Sequence, residues 1–176
     1  MKSRLAAVIT VLFAFSGAAV AGQEDFENGP LIAEYGPVVV VDGADELPTD
    51  TKFSVAFDVT ARGSEGAINR KFESAARFLN MHAAVGVPAE NMQLAVVVHG
   101  PAVLDLTGNA RFGGENPNKG LIKILQQHGV RFVVCGQSAA FQDVSKTDLL
   151  PDVEMAVSAM TAHALLQQQG YTLNPF

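Results

Sequence analysis

Residues 129–138, with the sequence GVRFVVCGQS, decide the fold class of this chain. The apolar run over 130–135 is short enough for a buried strand, and a glycine stands directly before and after it. Gly129 provides the left-handed conformation that ends a helix, while Gly136 allows a tight turn out of the strand. The segment therefore predicts the end of one helix, a buried strand and the start of a second helix.

The same order of elements recurs along the chain. Two further apolar runs, 53–59 and 94–98, have the length of buried strands. Apolar residues at three- and four-residue steps predict helices over 68–85, 118–128 and 153–169, and each of these patterns ends at a glycine that precedes an apolar segment. The pattern predicts an α/β fold with an open, mostly parallel sheet of about four or five strands and helices on both faces.

The composition fits one globular domain. The chain has 176 residues, of which 48% are hydrophobic and 17% are charged, and this balance excludes a disordered or low-complexity protein. The formal charge is −6, and it becomes −8 when Lys2 and Arg4 are set aside as part of a leader. Because no basic patch interrupts this acidic balance, the sequence argues against nucleic acid as a partner.

Residues 1–21 have the three parts of a signal peptide. A basic start is followed by an apolar run over 5–15, and the sequence AVA at 19–21 has small residues at the alternating positions that a signal peptidase reads. The alternative is a membrane anchor, but Ser16 and Gly17 break the apolar run short of the roughly 20 residues that a span requires. We expect cleavage, no membrane association afterwards, and a periplasmic location in a Gram-negative source.

Residues 22–50 form an acidic, turn-rich stretch around one apolar run at 38–41. This composition predicts an extended N-terminal arm with one short edge strand. The α/β domain then covers 51–176. The sequence shows neither a second domain nor an internal repeat.

Ligands of open α/β sheets bind beyond the carboxyl ends of the strands, so chemistry is expected from the residues that follow each apolar run. Cys135 ends the third run, and a helix start at Gly136, Gln137 and Ser138 directs free backbone N–H groups toward its sulfur. Such donors favour a thiolate and lower the pKa of the thiol. The alternative is a cysteine that only packs, because free Cys is among the most buried residue types.

His99 and Asp58 end the other two predicted strands. The turn at Gly100 leaves the His99 ring at the same sheet edge as Cys135 if their strands are neighbours. An imidazole there can take the thiol proton, stabilise the thiolate as a cation, and return the proton to a leaving group. The alternative is a half-buried His99 bonded to a loop carbonyl. Asp58 either orients His99 or caps the approach to a helix at 64–69.

The remaining histidines favour structural roles, because His82 and His163 lie within predicted helices and His128 lies in a last turn, where a cation suits the helix dipole. No two histidines have the spacing of a metal-binding motif, and Cys135 is the single cysteine. The sequence therefore predicts no metal site, no intramolecular disulfide and no cofactor.

A Gly/Asn-rich loop at 108–117 follows the His99 strand. Its glycine spacing matches neither nucleotide-binding fingerprint, and Lys119 is followed by glycine where a phosphate loop has Ser or Thr. We expect a mobile flap over the sheet edge, from which Arg111 offers a cation to an anionic ligand or to the thiolate. The alternative is an exposed Arg111 without a partner, which is the commoner state of a surface arginine.

Three segments resemble the DsrE/DsrF-like (YchN-like) family: VVVHGPA at 96–102, GVRFVVCGQS at 129–138, and DLLPDV at 148–153. The similarity extends over 53–176. The resemblance implies a flavodoxin-like fold of α/β/α layers and homo-oligomers built from trimers. It also implies a sulfur-carrying cysteine at the position of Cys135.

The leading hypothesis is a periplasmic protein that carries sulfane sulfur as a persulfide on Cys135. His99 would manage protons, and the amides of Gly136, Gln137 and Ser138 would hold the anionic sulfur. One thiolate suffices for persulfide transfer, whereas disulfide exchange within one site needs two. The expected partners are small sulfur species and further copies of the chain, in a trimer or hexamer. The alternative is a non-catalytic small-anion-binding or assembly protein in which Cys135 is merely buried.

Overall fold

A computed structural model describes residues 21–48 and 50–174 of the chain. Apart from its last residue, the predicted signal peptide lies outside the described residues. Within the described ranges, no helix is both long enough and apolar enough to cross a membrane.

The described part of the chain forms one sheet with helices packed on it. The strands are β1 (Phe53–Val59), β2 (Met92–Val98), β3 (Arg131–Cys135), β4 (Glu154–Ala156) and β5 (Thr172–Asn174). The α-helices are α1 (Arg70–Ala84), α2 (Asn109–Phe112), α3 (Asn118–Gln127), α4 (Gly136–Phe141) and α5 (Ala159–Gln168). Short 3₁₀ helices cover Gln23–Asp25, Ala89–Asn91, Gly100–Leu106 and Lys146–Asp148. All strand pairs are parallel, in the order β4-β3-β2-β1-β5, which confirms the predicted α/β class.

Helices cover both faces of this sheet. The chain steps from β1 to β4 in one direction, and α5 then returns it to β5 on the far side of β1. Because crossovers between parallel strands are right-handed, this reversal places α5 on the face opposite α1 and α3. Phe72 and Leu121 belong to the larger apolar cluster on the α1 and α3 side, whereas Val97 and Leu166 belong to the smaller cluster beneath α5.

The central strands end at the same edge of the sheet. Val59 pairs with Val98, Val98 pairs with Val134, and Cys135 pairs with Ala156. Residues that end or follow these strands are therefore brought together although they are far apart in the sequence. This register positions the candidate site.

The predicted helix over 153–169 is wrong in its first part. Within it, Glu154–Ala156 instead form β4, which pairs with β3, and Arg131 donates two hydrogen bonds of 2.8 Å to the carboxylate of Glu154 across that pair. Ser158 then starts α5 by accepting the N–H of Thr161 at 3.0 Å. The apolar spacing in this segment suits a helix, but the open edge of β3 stabilises an extended chain. The other two predicted helices differ from α1 and α3 only at their ends.

The N-terminal arm packs on its own domain. The predicted strand at 38–41 is not formed. Within the described part of the arm, the β-type pairing is limited to an isolated antiparallel bridge between Glu27 and Val38. Ile32 is 1% exposed and belongs to the main apolar cluster. The arm is therefore an integral layer of the domain.

Asn80 of α1 holds this arm in place. Its side-chain oxygen accepts the N–H groups of Leu31 and Ile32 at 3.1 and 2.8 Å. The two hydrogens of its NH₂ group are shared among the carbonyl oxygens of Ile32, Tyr35 and Gly36, which lie 3.0, 2.9 and 2.9 Å from the nitrogen. A fully buried amide thus satisfies five backbone groups of the arm, which explains a polar residue on the buried face of a helix.

Candidate functional site

A pocket of about 440 Å³ opens at the carboxyl edge of the sheet, beside the first turns of α5. Asp58, His99 and Cys135 reach it from the ends of β1, β2 and β3. The complete lining consists of Asp58, His99, Cys135, Gln137, Ser158, Ala159, Met160, His163 and Leu173. The predicted meeting of Asp58, His99 and Cys135 at one sheet edge is therefore present in the structure.

Cys135 is both the last residue of β3 and the N-cap of α4. Its Sγ accepts the N–H of Ser138 at 3.4 Å, as a capping oxygen would. The residue is 5% exposed, and this exposed part faces the pocket. The sulfur thus lies at the floor of an open cavity, with a hydrogen-bond donor directed at it.

The surroundings of Cys135 favour the thiolate. Burial raises the pKa of the thiol. Hydrogen bonds from the Ser138 side chain and from the backbone N–H groups of Ser138, Ala159 and Gln137 lower it, and their combined effect is the larger one, so the pKa lies below its ordinary value. These donors come from two elements, α4 and the start of α5. All of them favour the ionised form of the Cys135 thiol over the neutral form.

Gly100, in the loop after β2, contacts the Ser138 side chain that bonds the thiol. Its N–H donates to the Ser138 hydroxyl oxygen at 3.0 Å, which leaves the hydroxyl hydrogen for the Cys135 sulfur. The backbone of Gly100 is left-handed at φ +57°, and an added Cβ would lie 2.8 Å from the Thr60 hydroxyl oxygen. A side chain at this position would be strained by the left-handed backbone and would displace the Thr60 hydroxyl.

Gly136 permits the close approach that brings α5 to the sulfur. A Cβ at this position would lie 2.7 Å from the carbonyl oxygen of Ala156 and 3.3 Å from that of Val157. Both oxygens are backbone atoms, so a side chain could not be accommodated without moving the connection from β4 to α5. That connection leads directly to Ala159, whose amide contributes to the thiolate site.

Asp58 bridges two imidazole rings. Its carboxylate lies 3.1 Å from Nε2 of His99 and 2.7 Å from Nε2 of His163. Burial raises the pKa of Asp58. The hydrogen bonds and charges of His163 and His99 lower it by more, so its pKa lies below the ordinary value. An ionised carboxylate only accepts hydrogen bonds, so both rings donate to Asp58 from Nε2.

His163 is a site residue that the sequence pattern does not identify. The pattern favours a structural role, because the predicted helix over 153–169 places His163 in the middle of that helix. In the structure α5 begins at Ala159, which puts His163 near the helix start and in the pocket. Ser158 is a preferred N-cap residue, and reading it as the start of the helix would have placed His163 near the sheet edge. His82, in contrast, packs against Phe78, whose carbonyl it contacts at 2.7 Å.

The structure does not bring Arg111 to this pocket. Its guanidinium donates to the carbonyl of Gln142 and lies 3.8 Å from the carboxylate of Asp143, in a separate cavity. The loop that carries it is not the predicted flap, because it contains α2 and is fixed by the buried Asn116. The Asn116 NH₂ group donates to the carbonyls of Asp105 and Thr107 at 2.9 and 2.7 Å.

The site shows no arrangement for a metal ion. Over residues 21–48 and 50–174, no three His, Cys, Asp or Glu side chains are placed to hold one together. The chemistry available is that of a stabilised thiolate, two imidazoles and the carboxylate that orients them.

Comparison with solved structures shows that the fold is shared. A protein of unknown function, MTH1491, from Methanobacterium thermoautotrophicum is 18% identical, with a TM-score of 0.57 over 71% of this chain and 100% of its own. The ychN protein of E. coli is 16% identical, with a TM-score of 0.51 over 70% of this chain and 100% of its own. At these identities the similarity establishes the α/β fold alone.

The sequence itself matches a known family. No curated protein matches it significantly. The profile of the DsrE/DsrF-like family matches residues 52–175, a range that contains every residue of the pocket. This match confirms the resemblance seen in the segments around His99 and Cys135. The chain belongs to the DsrE/DsrF-like family.

Proposed function

We propose that this protein carries sulfane sulfur as a persulfide on Cys135. Membership of the DsrE/DsrF-like family is consistent with a role in sulfur chemistry. The observation that carries the proposal is the environment of Cys135, which lines an open pocket while donors of Ser138, Ala159 and Gln137 favour the anionic form of its sulfur. A thiolate is the nucleophile in sulfur transfer, so this environment suits the acceptance of a sulfur atom.

The reaction uses one thiolate and one proton. The Cys135 thiolate attacks the sulfane sulfur of a donor, a Cys–S–S bond forms, and the sulfur–sulfur bond of the donor breaks. The leaving group departs with the electron pair of that bond. His99, which lies in the same pocket and donates to Asp58 from Nε2, supplies the proton from Nδ1. Attack by an acceptor on the outer sulfur of the persulfide regenerates the thiolate.

His163 shares the carboxylate that orients His99. The two oxygens of Asp58 contact Nε2 of His99 at 3.1 Å and Nε2 of His163 at 2.7 Å. Nδ1 of His163 is buried and has no hydrogen-bond partner within the described residues. His163 therefore acts in this proposal through Nε2, which positions the Asp58 carboxylate and, through it, the His99 ring.

The proposed location is the periplasm, after cleavage that leaves Gly22 as the first residue. The support is the signal-peptide pattern of residues 1–21. N-terminal sequencing of protein recovered from the periplasmic fraction tests this, and a cytoplasmic protein with an intact N-terminus would contradict it.

We also propose a homo-oligomer, a trimer or hexamer. Large apolar side chains are exposed around α4, β4 and α5, and the exposed fractions of Phe141, Val157 and Leu165 are 88%, 71% and 51%. Large apolar side chains with such exposure support a surface that another copy covers. Sedimentation equilibrium gives the mass directly, and a monomer at all concentrations would contradict the proposal.

One observation favours the alternative of a non-catalytic small-anion-binding protein. Cys135 is 5% exposed, which is also the state of a cysteine that only packs. The same amides would then hold a bound anion without any covalent step. The two functions differ in whether the sulfur reacts in the folded protein.

The proposal predicts that native protein treated with inorganic polysulfide gains the mass of one sulfur atom. Intact-mass spectrometry measures the adduct, and treatment with a reductant should remove it. The matched control is the same protein alkylated on Cys135 before the treatment, which should gain nothing. Native protein that takes up sulfur only after unfolding would favour the anion-binding alternative.

A further inference from the structure

A second cavity, of about 390 Å³, lies between the N-terminal arm and α1, whereas the sulfur pocket lies beside α5. At its floor Phe57 of β1, which is 2% exposed, meets the ring of Phe78 edge-on at a centroid distance of 6.0 Å. The arm supplies one wall through Phe26, Val38 and Val41. A largely apolar cavity of this size is typical of a site for a small molecule.

The arm holds this wall in a fixed shape. The backbones of Glu27 and Val38 exchange two hydrogen bonds of 3.0 and 2.9 Å. Gly36 approaches α1 so closely that an added Cβ would lie 2.6 Å from the backbone nitrogen of Arg77. Because the wall is preformed, a ligand does not have to order it, which lowers the cost of binding. The arm precedes residues 52–175, the range matched by the family profile, so this cavity is a feature of the present chain rather than of the family.

One cation lies at the rim of the cavity. Arg77 is the charged residue of the lining, and its side chain makes no ion pair or hydrogen bond within residues 21–48 and 50–174. Glu73, the acidic residue of α1, accepts the N–H of Gly36 at 3.3 Å and is not part of the lining. A guanidinium matches the two oxygens of a carboxylate. The cavity thus combines apolar walls with one cation that has no partner in the described part of the chain.

We infer that this cavity binds a free monocarboxylate with an unbranched apolar tail, which is the chemistry of a medium-chain fatty acid. The tail would lie on Phe57 and Phe78, between the arm and α1, and the carboxylate would pair with Arg77. Burial of the tail supplies most of the affinity, and the cation distinguishes an anion from a neutral compound. The two cavities share no lining residue, so this binding is independent of the persulfide function.

Titration calorimetry with decanoate tests the inference. The wild-type protein should bind decanoate with a dissociation constant below about 1 mM, and octanoate roughly 10-fold more weakly, because two methylene groups fewer are buried. Arg77→Gln should weaken decanoate binding roughly threefold to fivefold, the effect of one exposed ion pair. The matched control is Arg70→Gln, on the same helix and outside the lining, which should bind like the wild type.

Two neighbouring valines test the wall that the arm contributes. Val41 lines the cavity and is 64% exposed, whereas Val40 is 59% exposed and lies outside the lining, so both tolerate serine without damage to the core. We expect Val41→Ser to weaken decanoate binding roughly fivefold and Val40→Ser to leave it unchanged. Equal effects of the two substitutions, no binding below about 1 mM, or unchanged binding in Arg77→Gln would each overturn the inference.

The same titrations exclude or reveal two other occupants. Decanoate binding that appears only in a chain shortened to end at Asn174 would assign the cavity to Pro175 and Phe176. Self-association of the wild type that Val41→Ser abolishes and Val40→Ser does not would assign the cavity to a second copy of the chain. Either result would overturn the fatty-acid site.

Discussion

Cys135→Ser is expected to abolish sulfur uptake completely. Cys135 is the single cysteine of the sequence, so the variant has no thiolate with which to form a persulfide. A serine hydroxyl in the same place does not attack sulfane sulfur, because the alkoxide is not populated near neutral pH. After polysulfide treatment, intact-mass spectrometry should show the unmodified mass for this variant under conditions that load the wild type fully.

The variant should remain folded, which separates loss of chemistry from loss of structure. Cys135 caps α4 by accepting the N–H of Ser138, and serine is a preferred residue at this position of a helix. We expect its free energy of unfolding in urea to lie within about 1 kcal/mol of the wild type. A sulfur adduct on Cys135→Ser would contradict the assignment of the acceptor.

Asn80→Ala is expected to lower the free energy of unfolding by about 3 kcal/mol or more, a large loss for a single polar substitution. The buried amide contacts five backbone groups of the arm, with two hydrogens shared among three carbonyl oxygens, and its removal leaves these carbonyls and two backbone N–H groups without this partner. Each unsatisfied buried group costs roughly 1 to 3 kcal/mol, although detachment of the arm lets water relieve part of that cost. Urea unfolding measures the loss.

The matched control for this prediction is Asn91→Ala. The Asn91 side chain makes one hydrogen bond, to the carbonyl of Thr51 at 3.1 Å, so its removal should cost only about 1 kcal/mol. Limited proteolysis provides a second readout, since the arm should become cleavable in Asn80→Ala and stay protected in Asn91→Ala. Equal stability of the two variants would mean that Asn80 does not anchor the arm.

The sequence predicts those parts of the fold in which local pattern and tertiary environment agree. The run at 53–59 is β1 with the same bounds, because a short, mostly apolar segment suits a strand that is covered on both faces. The segment at 153–157 fits helical spacing equally well, and its extended conformation depends on pairing with β3. Such a pairing depends on tertiary structure, which a local pattern does not contain.

The residues of the candidate site likewise divide into those that a local pattern predicts and those that depend on tertiary structure. His99 and Cys135 are predictable because each ends a recognisable strand, and parallel strands end at one edge. His163 belongs to a helix, and its place in the pocket depends on where that helix begins. The prediction for Arg111 is wrong because a glycine-rich composition suggests a flap, whereas the buried amide of Asn116 fixes the loop away from the thiol.

The central claim is that the folded protein presents Cys135 as an accessible, stabilised thiolate, and the pH dependence of alkylation tests it most directly. A lowered pKa places the rise in iodoacetamide reactivity at lower pH than for the same thiol in the urea-unfolded chain. Ser138→Ala removes the hydroxyl donor and should move the midpoint of this rise upward, toward the unfolded value. We predict a native midpoint below that of the unfolded chain; a native midpoint at or above it, or labelling only upon unfolding, would contradict the claim.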